Sequence, residues 1–453
     1  MVFQELQPTT ENLVQTLERD SIGRTRSAIR LCQYLCGIKS GFSIALDNPW
    51  GGGKSFFVKQ VKLILDAYNS FSPHSLSADD ASRIKKVANR HVREIDEVLS
   101  KTPHVTVYYD AWDNDNSSDP LLALVYEIVH SINADFDCLK KPSLRQKISA
   151  IVELFTGKDI DKLLKATKND TLIDEIAKEK SLKELITEFL EEVIQERGNR
   201  LLIILDELDR CKPSFAVALL ERVKHYFSNE HVTFLFALNE NALCHTISKN
   251  YGEQYDASRY LDRFFDLTTS LPPVDLSAFY DYISLATNGS ILDDICIKLV
   301  IHYKLSMREI FRFYNAVNAG AGVLDRQSIT KRYCTFFLFP VAVALRITDK
   351  AAYDDFINGK NCAAFLDFMQ TALKDVDLSQ YDLMLQANHE TYNEPSNPRT
   401  RRITAEEKYT AVYNALFLPI YKQKDYRPIS IGRLEFDNRV REFFFLQLGA
   451  LVD

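Results

Sequence analysis

Ser43-Ile44-Ala45-Leu46-Asp47-Asn48-Pro49-Trp50-Gly51-Gly52-Gly53-Lys54-Ser55-Phe56-Phe57 is the stretch whose reading decides the fold. An apolar run enters a glycine-rich turn, then Lys-Ser, then a segment that can continue as a helix. That order spells strand, phosphate loop, helix. Successive backbone N–H groups in such a loop converge on anionic oxygens, and the following helix adds the positive end of its dipole. Gly51, Gly52 and Gly53 let the backbone approach a phosphate, which side chains would prevent. Lys54 can reach the β- and γ-phosphates, and Ser55 can offer its hydroxyl to Mg²⁺. Asn48, Trp50 and Phe56 complete the nucleotide-contacting set expected of the loop. Asn48 stands where glycine is usual, and asparagine tolerates left-handed backbone angles better than most residues.

A second anchor is Leu201-Leu202-Ile203-Ile204-Leu205-Asp206-Glu207-Leu208-Asp209-Arg210. Five aliphatics followed by acids describe a strand buried on both faces that delivers carboxylates at its C-terminal end. In open α/β sheets ligands sit at that end. Asp206 is expected to hold Mg²⁺ through its water shell, and Glu207 to orient and deprotonate the attacking water. In-line phosphoryl transfer needs positioning and charge neutralisation more than covalent chemistry. Val232 to Leu238 is a third buried strand, followed by Asn239. The Asn239 amide can touch the γ-phosphate or the catalytic water, or it can cap the next helix. Arg259-Tyr260-Leu261-Asp262-Arg263 leads towards a short final strand. Arg263 or Arg259 is a candidate for stabilising transition-state charge, in a neighbouring subunit if not in its own, with an ordinary salt bridge as the alternative.

The 453 residues can bury a large core and hold two or three subdomains. A net charge of −7 disfavours unspecific binding to DNA or to an anionic membrane. No basic segment followed by an apolar run opens the chain, so no signal peptide is expected. The longest uncharged apolar run, Tyr333 to Leu345, contains Pro340 and is too short to span a bilayer; it reads as a buried helix. Eight cysteines are scattered singly except Cys32 and Cys36, which suits neither zinc nor a disulfide framework and fits a reducing cytoplasm.

Residues 1–40 read as a helical lead-in whose Glu18, Arg19, Asp20 and Arg24 can lie over a base or simply face solvent. Residues 41–273 form the nucleotide core, with His104-Val105-Thr106-Val107-Tyr108-Tyr109-Asp110-Ala111-Trp112 as a further strand. Residues 139–198 form a charged helical block between the two motif-bearing strands. From 274 to 453 helical spacing dominates, which suggests a lid and a C-terminal helical domain. Arg308 and Arg312 share one helix face there. Residues 387–404, with Asn-Glu-Pro-Ser-Asn-Pro and then Arg399, Arg401 and Arg402, read as a mobile basic loop, and the helix bearing Phe443, Phe444 and Phe445 as packing onto the chain's own core.

Four stretches taken together resemble the KAP family of P-loop NTPases. They are Asn48 to Ser55, Asp110-Ala111-Trp112, Asp206-Glu207-Leu208-Asp209-Arg210-Cys211-Lys212-Pro213, and Tyr260-Leu261-Asp262-Arg263 with the Leu-Pro that follows. The order holds over roughly residues 10–320. Departures are Asn48 for Gly, Asp110 for Asn, and Asn239 where an acid is common. The resemblance implies a three-layer α/β P-loop core of the additional-strand kind, binding ATP and Mg²⁺, here with a helical insertion and an α-helical C-terminal region. Members often insert transmembrane helices between the two nucleotide motifs, whereas this block is charged. Bacterial relatives include phage-exclusion proteins, so a defence role is implied. The expected activity is ATP hydrolysis used as a conformational switch, within a homo-oligomer or with an effector protein. The alternatives are a nucleotide-gated scaffold with little turnover and a nucleic-acid-stimulated motor.

Overall fold

The fold was read from a computed structural model, which describes residues 7–71, 76–117, 119–133, 142–156, 171–275, 278–279, 291–322, 328–378, 385, 390–392, 399–401, 404–417 and 429–449. The chain divides into two units, Leu6–Tyr282 and Ile283–Asp453.

The first unit is built on five parallel strands: β1 (Phe42–Asp47), β2 (His104–Asp110), β3 (Arg200–Asp206), β4 (Val232–Leu238) and β5 (Leu267–Ser270). Their spatial order is β2-β3-β4-β1-β5, so β4 stands between the phosphate-loop strand and the acid-bearing strand. β3 and β4 are buried along their whole length, as uninterrupted aliphatic and aromatic runs require when both faces are covered. Alternation assigns the faces. Leu201, Ile203, Leu205, Phe234 and Phe236 join one core cluster with Val105, Val107 and Tyr109. The edge strand β5 is Leu-Thr-Thr-Ser and mostly exposed, the composition an edge tolerates.

Helices cover both faces. α1 (Thr10–Arg19), α2 (Thr25–Gly37), α4 (Ala78–His91) and α5 (Ile95–Lys101) surround α3 (Lys54–Tyr68), which also lies against the sheet. That is why α3 is buried nearly all round rather than along one stripe. The other face carries α6 (Pro120–Asn133), α7 (Pro142–Thr156), α8 (Thr171–Arg197), α9 (Pro213–Tyr226), α10 (Glu240–Tyr251) and the short α11 (Ala257–Leu261). The described helices of the charged block at 139–198, α7 and α8, are therefore integrated into the core. Leu182, Ile186, Phe189, Leu190 and Val193 of α8 are buried in the same cluster as β2 and β3. They repeat at helical spacing, and α8 acts as the crossover into β3.

The second unit is helical, with two small antiparallel hairpins. One hairpin pairs Glu390–Tyr392 with Arg399–Arg401, so the basic stretch expected to be a loop is strand at Arg399 and Arg401; Arg402 lies outside the described residues. Tyr333 to Leu345 is a buried helix, as its composition suggests. It runs through a π-helical turn at Cys334–Leu338 immediately before Phe339 and Pro340. The widened turn accommodates a proline that lacks an N–H and would clash with the preceding turn of a regular α-helix. Phe444 packs edge-on to Phe417 at 5.3 Å and Phe339 at 6.5 Å, within the unit's own core. Phe339 also presses on Gly320, where a Cβ would come within 2.2 Å of its ring. Gly320→Ala should destabilise this unit by about 1–3 kcal/mol through overpacking, measurable by denaturant unfolding.

Candidate nucleotide site

Parallel register places three acidic strand ends, Asp47, Asp110 and Asp206, on one edge of the sheet. Asp47 pairs with Leu238, Asp206 with Ala237, and Asp110 with Asp206. This is the carboxyl edge at which α/β sheets bind ligands.

The loop from β1 to α3 makes its turns at Gly51 (φ 78°) and Gly53 (φ 85°), both left-handed. Asn48 is not among the residues with positive φ, so its tolerance of such angles is not what admits it here. Instead its side chain lies across the loop against Gly52, where a Cβ would meet Asn48 Nδ2 at 1.9 Å. Lys54 Nζ donates to the carbonyls of Asn48 at 2.5 Å and Pro49 at 3.3 Å. Burial pulls the Lys54 pKa down, and the charges of Asp209, Asp206, Glu207 and Asp47 oppose that shift. The lysine and the β3 acids therefore lie within electrostatic reach. Ser55 is half-buried in the first turn of α3, and Phe56 is buried beside it. The backbone N–H groups of Gly51, Gly53, Lys54, Ser55 and Phe56 donate to no group among the described residues. Helix N-termini leave such donors for an anion.

Asp206 is 1% exposed. Its Oδ2 accepts the Tyr108 hydroxyl at 2.7 Å, and its Oδ1 the Glu207 N–H at 2.9 Å. Glu207 has φ 59°, a left-handed geometry costly for a side chain with a Cβ and found preferentially at functional sites. Burial, then the neighbouring Asp206 charge, push its carboxyl up to about 7, against the pull of Arg210. Arg210 Nε pairs with it at 2.5 Å and its guanidinium lies 5.6 Å from the Trp112 ring centre. A carboxylate balanced near neutrality is suited to taking a proton from water. Arg210→Ala removes the group that keeps this pKa down. The acidic limb of any Glu207-dependent rate should then move to higher pH, readable in a pH–rate profile.

Three participants escaped the sequence reading. Tyr108 sits on β2 directly across from the acid strand, and only the pairing register reveals that it reaches Asp206. Asp209 is buried; its Oδ2 accepts the Trp50 indole N–H at 2.5 Å, while its Oδ1 has no hydrogen-bond partner among the described residues. Trp50, otherwise 52% exposed, thus ties the loop to the turn after β3. Asp47 Oδ1 accepts the Glu240 N–H at 2.7 Å and so links the ends of β1 and β4.

Asn239 lies at the carboxyl edge between the two motif strands. Its Oδ1 accepts the Ala242 N–H at 3.2 Å as the cap of α10, which leaves the amide nitrogen uncommitted by the cap. Arg263 is elsewhere. It lines a crevice of about 410 Å³ with Phe42, Ser43 and Val232, at the opposite, amino ends of β1 and β4. A six-residue strand spans roughly 20 Å, so Arg263 does not join the loop of its own chain. Arg259 is exposed on α11.

Buried carboxylates, an unpartnered carboxylate oxygen and a left-handed cradle closed to side chains make a site suited to a cation together with a polyphosphate. Ser55 and Asp206 are the residues here that would hold the metal. Among curated proteins, none is similar enough to match. The model of the KAP family P-loop domain matches residues 24–319, well over half of the chain. Among the described residues no helix is long and apolar enough to cross a membrane. With the loop, the acidic strand and the inserted β4 combined on one sheet, and with that match, the chain belongs to the KAP family of P-loop NTPases.

Proposed function

We propose that this protein binds Mg·ATP at the carboxyl edge of its sheet and hydrolyses it as a conformational switch. The observation that carries the reading is the pairing of a glycine cradle, bearing undirected N–H groups and Lys54, with buried Asp206 at the end of the second strand over and Asp209 in the turn that follows it. In this reading the loop N–H groups and Lys54 bind and orient the β- and γ-phosphates. Glu207 takes the proton of the attacking water, and Asp206 is held in place by Tyr108. Bound Mg²⁺ would neutralise developing charge on the phosphate oxygens. Asn239 can donate to the γ-phosphate or the water from its amide nitrogen while its oxygen caps α10.

Arg263, on the far edge of the sheet, acts in this reading only on the site of another copy. A homo-oligomer, or an effector protein that receives the switch, is accordingly part of the proposal. The defence role rests on the family resemblance alone. Phosphate release from ATP by the purified chain tests the reading. Turnover should require Mg²⁺, stop with EDTA and resume when Mg²⁺ is restored. A chain that binds no nucleoside triphosphate with or without Mg²⁺ would overturn it.

A further inference from the structure

Arg24 is 5% exposed, and among the described residues it makes hydrogen bonds but no ion pair. A buried guanidinium without a counter-ion is expensive, and burial brings its pKa down to about 10. Its two bonds are to backbone carbonyls far apart in sequence. Nη1 donates to Gly52 O and Nε to Pro272 O, both at 2.7 Å.

Local structure delivers the arginine there. α1 ends at Asp20 in a left-handed conformation, and Asp20 Oδ1 then accepts the Thr25 N–H at the start of α2. The turn between them passes through Gly23 (φ 69°), where a Cβ would meet Asp275 Cβ at 2.6 Å. Asp275 N–H in turn donates to Ile22 O at 3.1 Å. The lead-in turn is thus fastened twice to the segment that leaves β5.

Gly52 O belongs to the same peptide unit as the Gly53 N–H. In a trans peptide these two groups point in opposite directions. An arginine that holds the carbonyl towards the lead-in turn therefore holds the N–H away from it. Glycine at 52 and 53 imposes little rotational preference of its own, so this peptide needs an outside constraint.

We propose that Arg24 is a positioning residue of the nucleotide site: it fixes the Gly52–Gly53 peptide with its N–H presented to the phosphates, and makes that orientation dependent on the exit segment at Pro272. The inference rests on the nucleotide-binding reading above. The exit segment continues in sequence towards the second unit, so the arginine links loop geometry to the stretch of chain through which a switch would be read out.

The test uses the full chain with Arg24→Ala, Arg24→Gln and Arg24→Lys. Amide hydrogen exchange without nucleotide should rise at Gly52, whose N–H is held by Pro49 O, within peptides covering residues 50–56, and at Asp275, held by Ile22 O, within those covering 271–275 of the Ala and Gln variants, while β3 and β4 stay protected. ATP should bind about 10- to 100-fold more weakly, the worth of a hydrogen bond to a charged group. KM should rise with kcat changed only a few-fold, as loss of uniform binding requires. Lysine, able to reach one carbonyl but not to fork, should restore part of the affinity. If a variant that folds as judged by circular dichroism binds ATP within twofold of the unmodified chain, or its exchange rises evenly across the unit, Arg24 is only a structural brace. If alanine prevents folding, the glutamine and lysine variants decide by the same criteria. Should the unmodified chain bind no nucleotide, the ATPase reading fails, and local exchange at 50–56 still decides whether Arg24 positions the loop.

Discussion

Lys54→Ala should reduce nucleotide turnover by at least about 10²–10³-fold, the usual cost of removing one directed charge from a site where transition-state charge develops. The expectation follows from where the ammonium sits. It is buried, spans the carbonyls of Asn48 and Pro49, and feels Asp209, Asp206 and Glu207 together. Without it the buried acids lose the cation that offsets them, so a triphosphate would enter a field of uncompensated negative charge. Affinity for ATP should fall along with kcat. Lys54→Arg keeps the charge but is too bulky to fold back onto the loop carbonyls, and should rescue little. Calorimetric titration with ATP and a phosphate-release assay would check both. Wild-type-like turnover by Lys54→Ala would place the chemistry elsewhere.

Glu207→Gln should separate binding from chemistry. The amide is nearly isosteric and can still accept from Arg210, but it cannot take a proton. Turnover should fall about 10²–10⁴-fold, the range for a lost general base, while ATP stays bound. A trapped nucleotide after gel filtration is the readout. Equal turnover in the two proteins would favour a nucleotide-gated scaffold with a slow background rate. The raised pKa adds a stability signature. A carboxyl at about 7 when folded, against an ordinary value of 4.5 when unfolded, binds more protons in the native state between those pH values. Stability therefore falls as pH rises from 4.5 to 7. Glutamine removes that dependence, so without nucleotide the variant's melting temperature should gain on the unmodified chain's across this window.

The strands and the two motifs were legible because each is a local pattern. An unbroken aliphatic run ending in acids has few folds in which to bury itself, and Gly-Gly-Gly-Lys-Ser after a strand has one common geometry. The family resemblance added the order of the motifs. What stayed hidden depends on register or on distant segments. Tyr108 meets Asp206 because β2 pairs with β3 residue for residue, and sequence does not declare that pairing. The bond from Trp50 to Asp209 crosses from the loop to the turn after β3. Asn239 was open between cap and phosphate contact, and the start of α10 uses its oxygen for the cap.

By itself, then, the sequence determined which segments are buried strands, where the phosphate-binding turn falls and which acids end the facing strand, because these follow from patterns only a few residues long. Only the tertiary structure decided that Arg24 is bonded to the loop rather than solvated, and that Arg263 lies a strand's length from the site. Both are matters of how strands and turns remote in the chain come together, and side-chain chemistry in one stretch carries no record of the neighbour that another stretch will bring.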